Sequence, residues 1–255
     1  MALRSLQKWH GAGNDFLVDV QEHGFSPWWT PERARSICHR TSGVGADGLL
    51  VATLGTDVSM TLYNADGSIA EMSGNGIRCF AAAVRRATGA TWDLLDVHTA
   101  AGIKSVSLTM SATSGWGSVA MGDVTFEETI EGAYGVANVG NPHVVVLDEP
   151  SWSEADCEEM AEKFSARLGG ANVEFLSVLG EDRLSIRVIE RGVGWTQACG
   201  TGSCAVAALA RRGGLSGDAV TVENPGGSLF VEFDGSGVTL SGPVQFVADV
   251  EWLEA

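Results

Sequence analysis

The chain has 255 residues, of which 45% are apolar, and a formal net charge of −16. This is enough for one large or two ordinary domains with buried cores, while the acidic balance argues against nucleic acid and anionic membrane surfaces, which select basic patches. Five cysteines (Cys38, Cys79, Cys157, Cys199 and Cys204) at irregular spacing, with no CxxC, suit neither a disulfide framework nor a zinc site. No apolar run reaches membrane-spanning length and no signal-peptide pattern opens the chain, so a cytoplasmic protein without membrane partners is expected.

In chain order, residues 3–9 pattern as a strand, and the Gly-rich turn 10–16 leads into a second strand at 16–20. The stretch Pro27-Trp28-Trp29-Thr30-Pro31 marks a loop, with Thr30 capping a helix that has Pro31 at its first position and reaches Cys38. The turn 43–48 precedes strands at 49–53 and 57–63, and Asn64-Ala65-Asp66-Gly67 is a further turn. Strands are expected at 94–99, 103–110 and 117–121, with an apolar run at 144–147. A helix is expected at 151–168, its acidic residues early and basic residues late, as the helix dipole favours. Strands follow at 173–178 and 183–190. Cys199 then sits at the tip of a Gly-rich turn before a helix over 204–212 that stops at Gly213-Gly214. Strands at 220–223, 228–233, 238–241 and 244–250 close the chain, with turns at 225–227 and 234–237.

The chain repeats itself. Ser73-Gly74-Asn75-Gly76 through Arg85-Arg86 aligns without a gap on Cys199-Gly200-Thr201-Gly202 through Arg211-Arg212. Asn14 precedes Ser73 by 59 positions and Asn141 precedes Cys199 by 58. The strands at 57–64 and 183–190 each end nine residues before the Ser or the Cys. A duplication is the simplest reading. It implies an α+β fold of two pseudo-symmetric domains, each a curved, mostly antiparallel sheet around a central helix. The expected halves are residues 1–116 and residues 117–243, apart from the last strand at about 244–255.

The repeated Gly turns carry the chemistry. Free N–H groups at a helix N-terminus lower a neighbouring thiol's pKa and make a carboxylate site. If position 73 and Cys199 face one another across a small molecule, they can remove a proton from one side of a carbon and return one to the other. N–H groups of Gly74, Asn75, Gly200 and Thr201 would hold an α-carboxylate and stabilise charge spreading into it. No cofactor motif is present, and none of the three lysines (Lys8, Lys104, Lys163) lies on a Gly turn, so no cofactor and no metal are expected.

Asn64-Ala65-Asp66-Gly67-Ser68 followed by Ser73-Gly74-Asn75-Gly76-Ile77-Arg78 resembles the signature of the diaminopimelate epimerases. His10-Gly11-Ala12-Gly13-Asn14-Asp15-Phe16, Gly140-Asn141-Pro142-His143, Glu190-Arg191-Gly192 and Ala198-Cys199-Gly200-Thr201-Gly202 resemble further motifs of that family, in its order. The resemblance spans nearly the whole chain. It implies a cofactor-independent two-base epimerase acting on LL- and meso-diaminopimelate, in lysine and cell-wall precursor biosynthesis. It also implies a last strand that returns to the first domain. Asn14, Asn64, Asn141, Asn172, Glu190 and Arg191 then look like the substrate-recognition set. Arg191 suits a distal carboxylate, and Glu190 with the Asn side chains suits a distal ammonium. His10 and His143 lie beside the Gly-Asn turns, where bracing and substrate contact are both open.

The chain departs from the family at Ser73, where the family has a catalytic Cys, and at Trp195, where it usually has Glu. Gly48 lacks an amide side chain that some relatives carry. Cys79, inside the expected helix, is a packing residue rather than a replacement base. Ser73 leaves three readings: an epimerase of reduced activity, a one-base lyase or isomerase of a related amino acid, and a silent diaminopimelate-binding protein. A homodimer is compatible with each.

Overall fold

A computed structural model describes residues 3–22, 28–235 and 237–253. The loop residue Pro27 and the turn residue Ser236 singled out above lie outside them. The chain forms two compact units, residues 1–119 with 242–255, and residues 120–241.

In the first unit, β1 (Leu3–Gly11) pairs antiparallel with β2 (Asn14–Glu22). α1 (Pro31–Cys38) then carries the chain to β3 (Gly48–Leu54), parallel to β2. β4 (Val58–Asn64) returns antiparallel on β3, with the short β5 (Ile69–Ala70) against it. After α2 (Gly74–Thr88), β6 (Leu95–Thr99) lies parallel to β4. β7 (Gly102–Met110) and β8 (Ser114–Gly122) continue antiparallel.

The second unit repeats this order. β9 (Thr125–Phe126) and β11 (Pro142–Leu147) flank β10 (Gly135–Asn138), both antiparallel to it. α3 (Glu154–Arg167) leads to β12 (Asn172–Gly180), parallel to β11, and β13 (Arg183–Glu190) pairs antiparallel with β12. β14 (Gly194–Thr196) lies on β13 ahead of α4 (Gly200–Arg212). β15 (Ala219–Asn224) is parallel to β13, and β16 (Gly227–Asp234) and β17 (Gly237–Leu253) complete the order antiparallel. The fold is therefore a duplicated α+β architecture in which a Gly/Ala-rich helix packs on the strands of its own unit, α2 on β1–β3 and β7, α4 on β10–β13, β15 and β16.

The sequence explains the helices. α2 is buried on every face from Gly74 to Val84, and α4 buries nearly all of its residues through Ala210. A helix enclosed on all sides needs apolar residues all round, and small ones let strands approach. α1 is amphipathic instead. It buries Ala34, Ile37 and Cys38 against Leu17, Leu49 and Tyr63. Thr30 Oγ1 accepts from Arg33 N at 3.3 Å, the cap its position predicts. α2 ends at Gly89, whose φ of +68° lets its N–H reach Arg85 O.

Three elements differ from expectation. α4 begins at Gly200 rather than 204, because Gly200-Thr201-Gly202 forms its first turn despite glycine's poor helix propensity. α3 begins at Glu154 rather than 151, because Ser153 forms a capping box with Asp156 that fixes the start. The strands expected at 238–241 and 244–250 are one continuous β17. It pairs with β16 through Ser241 and with β1 from Gln245 onward. The change of partner at Gly242-Pro243 tolerates a proline, which has no N–H to donate. The short strands β5, β9, β10 and β14 have two to four residues each, too few for a periodic signal. Among the described residues, no helix is long and apolar enough to cross a membrane.

Candidate active site

Ser73 and Cys199 occupy the same position in the two units, the N-cap of the central helix. Both are extended, Ser73 at φ −138° and ψ 122°, Cys199 at φ −118° and ψ 113°. Ser73 Oγ accepts from Gly76 N at 3.0 Å, and Cys199 Sγ accepts from Gly202 N at 3.3 Å. Gly74 and Asn75 in α2, and Gly200 and Thr201 in α4, form the start of each helix, where N–H groups have no acceptor within the helix. Thr201 Oγ1 lies 3.5 Å from Cys199 Sγ, and Asn224 Oδ1 accepts from Cys199 N at 3.2 Å.

In the first unit, a strand end brings Asn14 to this helix start. Asn14 opens β2, donates from Nδ2 to Asp47 Oδ2 at 2.7 Å and accepts from Asn75 Nδ2 at 3.3 Å. Asn75 Oδ1 accepts in turn from Arg78 Nη2 at 2.8 Å, and Arg78 is fully buried. Asp15 and Asp47 are cross-linked by Arg40, with Nη2 contacts of 2.6 and 2.7 Å. Asn64, the last residue of β4, donates to Ser68 Oγ at 3.0 Å, which shapes the turn ahead of α2. His10 braces its own turn, with Nδ1 accepting from Gly13 N at 3.4 Å.

The second unit assembles a buried polar cluster behind Cys199. His143 Nδ1 is hydrogen-bonded to Glu174 Oε1 at 2.7 Å, and His143 Nε2 to Asn141 Oδ1 at 2.9 Å. His143 and Glu174 are both 0% exposed. A ring nitrogen of His143, a carboxylate oxygen of Glu174 and Cys199 Sγ all lie within 4.8 Å of one another. Asn172 begins β12 and accepts from Arg191 N at 2.9 Å, which fixes the Glu190–Arg191 strand end. Glu190 accepts from Thr196 Oγ1 at 2.6 Å. The arginine itself is exposed, and its stem lies over Gly170, where a Cβ would meet Arg191 Cδ at 2.7 Å.

The electrostatics of Cys199 run against the expectation from its helix terminus. Burial comes first, then the negative charges of Glu190 and Glu174, and together they push its thiol well above the ordinary range. The Thr201 hydroxyl and the Gly202 N–H pull the other way but are outweighed. Burial likewise raises Glu190, whose neighbour Glu174 adds to the shift. Cys79, fully buried in α2, is pushed up to about 12 by desolvation, as suits a packing thiol.

Gly202 is required by this packing. A Cβ there would fall 2.5 Å from Glu174 Oε1 and 3.2 Å from Cys199 Cβ. Gly202→Ala gains roughly 1 kcal/mol of helix propensity but overpacks the first turn of α4 at a cost of about 1–3 kcal/mol. Net destabilisation is expected in urea unfolding, together with loss of Cys199 reactivity. A variant as stable and as reactive as the parent contradicts this packing.

Two features carry no signal in the sequence, the Glu174 carboxylate and the Arg40–Asp15–Asp47 cross-link, because neither belongs to a local motif. Trp195 stacks near Phe175 with ring centroids 6.1 Å apart, and its Nε1 donates to Glu158 Oε1 at 2.9 Å. It therefore packs on the core beneath α3. Gly48 has no room for a side chain, since a Cβ would meet Tyr63 O at 2.8 Å.

Solved structures share this fold. A hydroxyproline epimerase from Agrobacterium vitis, with bound trans-4-hydroxy-L-proline, superposes with a TM-score of 0.75 at 15% identity, covering 98% of this chain and 92% of that one. A phenazine biosynthesis protein of the PhzF family from Bacillus anthracis gives 0.74 at 14% identity, covering 100% of both chains. Both neighbours share the fold of this chain over nearly its whole length. The profile of the family described as diaminopimelate epimerase matches residues 6–127 and 135–247. The diaminopimelate epimerase of Clostridium perfringens is 35% identical over 268 residues, covering 96% of this chain and 98% of the relative. That of Synechocystis sp. is 36% identical over 279 residues, covering 97% and 98%. The chain belongs to the diaminopimelate epimerase family, a family of isomerases.

Proposed function

We propose that this protein interconverts LL- and meso-2,6-diaminopimelate by proton transfer at one α-carbon, with no cofactor. Inversion needs a base on one face of that carbon and an acid on the other; Cys199 and residue 73 are assigned these roles. The observation that carries the reading is the pair of matching N-caps, one thiol and one hydroxyl, at the helix starts of two units of the same strand order. The first N–H groups of both helices, at Gly74, Asn75, Gly200 and Thr201, take the α-carboxylate and the charge that spreads into it. Asn14, Asn64, Asn141, Asn172 and Glu190 supply polar partners for the rest of the substrate, and Arg191 supplies a guanidinium for the distal carboxylate.

With serine at position 73 the hydroxyl is always protonated in the working pH range, so Cys199 must act as the base. Its thiol is held high, so the thiolate accumulates only as pH rises. Activity is therefore reduced near neutrality and climbs into the alkaline range. The test is NMR of LL- and meso-diaminopimelate in D₂O. Deuterium entering Cα with interconversion of the isomers supports the reading, and inertness of this protein and of Ser73→Cys alike overturns it. Ser73 also favours a second reading, a one-base lyase or isomerase. Loss of ammonia or appearance of an alkene in the same spectra would select it, because epimerisation conserves mass.

A further inference from the structure

The two units differ at one place behind their central helices. By strand register, Phe16 pairs with Gly48 in the first unit, and His143 pairs with Asn172 in the second. Two residues further along the second strand of each pair come Leu50 and Glu174. The first unit thus fills the two positions with Phe16 and Leu50, both buried. The second places an imidazole and a carboxylate there, both 0% exposed. The fold does not need a charge at this point, since one copy of it is built without one. Burying an ionisable pair is costly unless every polar atom finds a partner. Glu174 Oε1 has His143, but Oε2 has no hydrogen-bond partner. The carboxylate is compensated on one oxygen only, directly behind the Cys199 N-cap, and Gly202 leaves the space for it.

We propose that Glu174 is a positioning residue that keeps the Cys199 thiol protonated, acting through its buried and half-compensated carboxylate. The groups around the thiol come from every element packed there. β11 gives His143, β12 gives Glu174, and β13 gives Glu190. β15 gives Asn224, and α4 gives the Thr201 hydroxyl and the Gly202 N–H. Glu190 is the nearer charge, hydrogen-bonded to the thiol from its strand end, and Glu174, sealed from water behind the cap, adds its field to that of Glu190. The N–H groups of α4 favour a thiolate, and Glu174 opposes them. A thiol held in its acid form becomes a base only as pH rises, so Glu174 sets the pH at which Cys199 can take the α-proton. The inference deepens the proposed function and shares its assignment of Cys199.

The test needs no substrate, so its failure is separable from failure of that assignment, which α-proton exchange examines. Cys199 is alkylated with iodoacetamide in the native protein between pH 7 and 10, and its peptide is followed by mass spectrometry. In the parent, the midpoint of the rate lies above the ordinary thiol value of about 8.5. Glu174→Gln keeps the shape and an acceptor for His143 but removes the charge. It is expected to lower the midpoint by about one pH unit, making alkylation at neutral pH roughly tenfold faster. Cys204, buried further along α4, reports on opening of the fold. An unchanged or slower Cys199 rate, or equal acceleration of Cys204, overturns the proposal. If Glu174→Gln does not fold, the parent profile decides, because a midpoint at or below the ordinary value is incompatible with it.

Discussion

Cys199→Ala is expected to abolish α-proton exchange on both isomers of diaminopimelate, a loss of at least about 10²–10⁴-fold. The substitution removes the only thiol at a central-helix N-cap among the described residues, and Ser73 is a poor base unaided. The structural cost is small. Sγ accepts from Gly202 N at 3.3 Å, and a sulfur acceptor caps weakly. The measurement is deuterium incorporation by NMR, paired with thermal unfolding to show that the protein remains folded. Cys204→Ala is the matched control. It truncates a fully buried thiol on the same helix and should lower stability by about 1 kcal/mol while leaving exchange intact. Full exchange by Cys199→Ala would remove this residue from the mechanism.

The opposite result is expected at the other cap. Ser73→Cys should raise the interconversion rate near neutral pH by about 10²–10⁴-fold, the usual contribution of a positioned acid–base group. The geometry for a thiol already exists in this chain, because Cys199 occupies the equivalent backbone conformation with its sulfur on the equivalent N–H. The exchange costs a good cap. Ser73 Oγ to Gly76 N at 3.0 Å is worth about 0.5–2 kcal/mol, so the faster variant is expected to be the less stable one. The environments differ in a useful way. Beside Gly76 lies the Phe16 ring, 3.3 Å from where a Cβ would sit, whereas beside Gly202 lies a carboxylate. A thiol at position 73 has no carboxylate of its own unit at the place equivalent to Glu174, and the pH–rate profile of Ser73→Cys should move to lower pH. A variant no faster than the parent at any pH would mean that residue 73 is not where a second base is missing.

The duplication was legible because its signal is local and repeated. A Gly turn runs without a gap into an Ala-rich helix twice, after strands that alternate. The cap at Thr30 was legible for a similar reason, since a hydroxyl side chain just before a helix that opens on proline has one common use. The start of α4 was not, because Gly200 and Gly202 score against helix and are accepted only where burial and the space needed by Glu174 override propensity. Glu174 itself sits within an apolar strand, between Val173 and Phe175, and resembles nothing in particular. It matters because parallel pairing of β11 and β12 turns it to His143, 31 residues earlier in the chain. The shift of the Cys199 thiol was hidden with it. A helix terminus can be read from neighbours in sequence, but the charges behind it arrive by long-range pairing.

β17 has a consequence for how the protein comes off the ribosome. Its first residues complete the second unit against β16, and those from Gln245 onward pair with β1 at the other end of the chain. Leu3 finds Leu253 as its partner, so the first unit's sheet cannot be finished while that unit alone has been synthesised. Until the last strand emerges, the free side of β1 is an unpaired edge, the kind of surface on which nascent chains misassociate. The first half must wait, nearly folded and in need of protection, for the final seventeen-residue strand to close it.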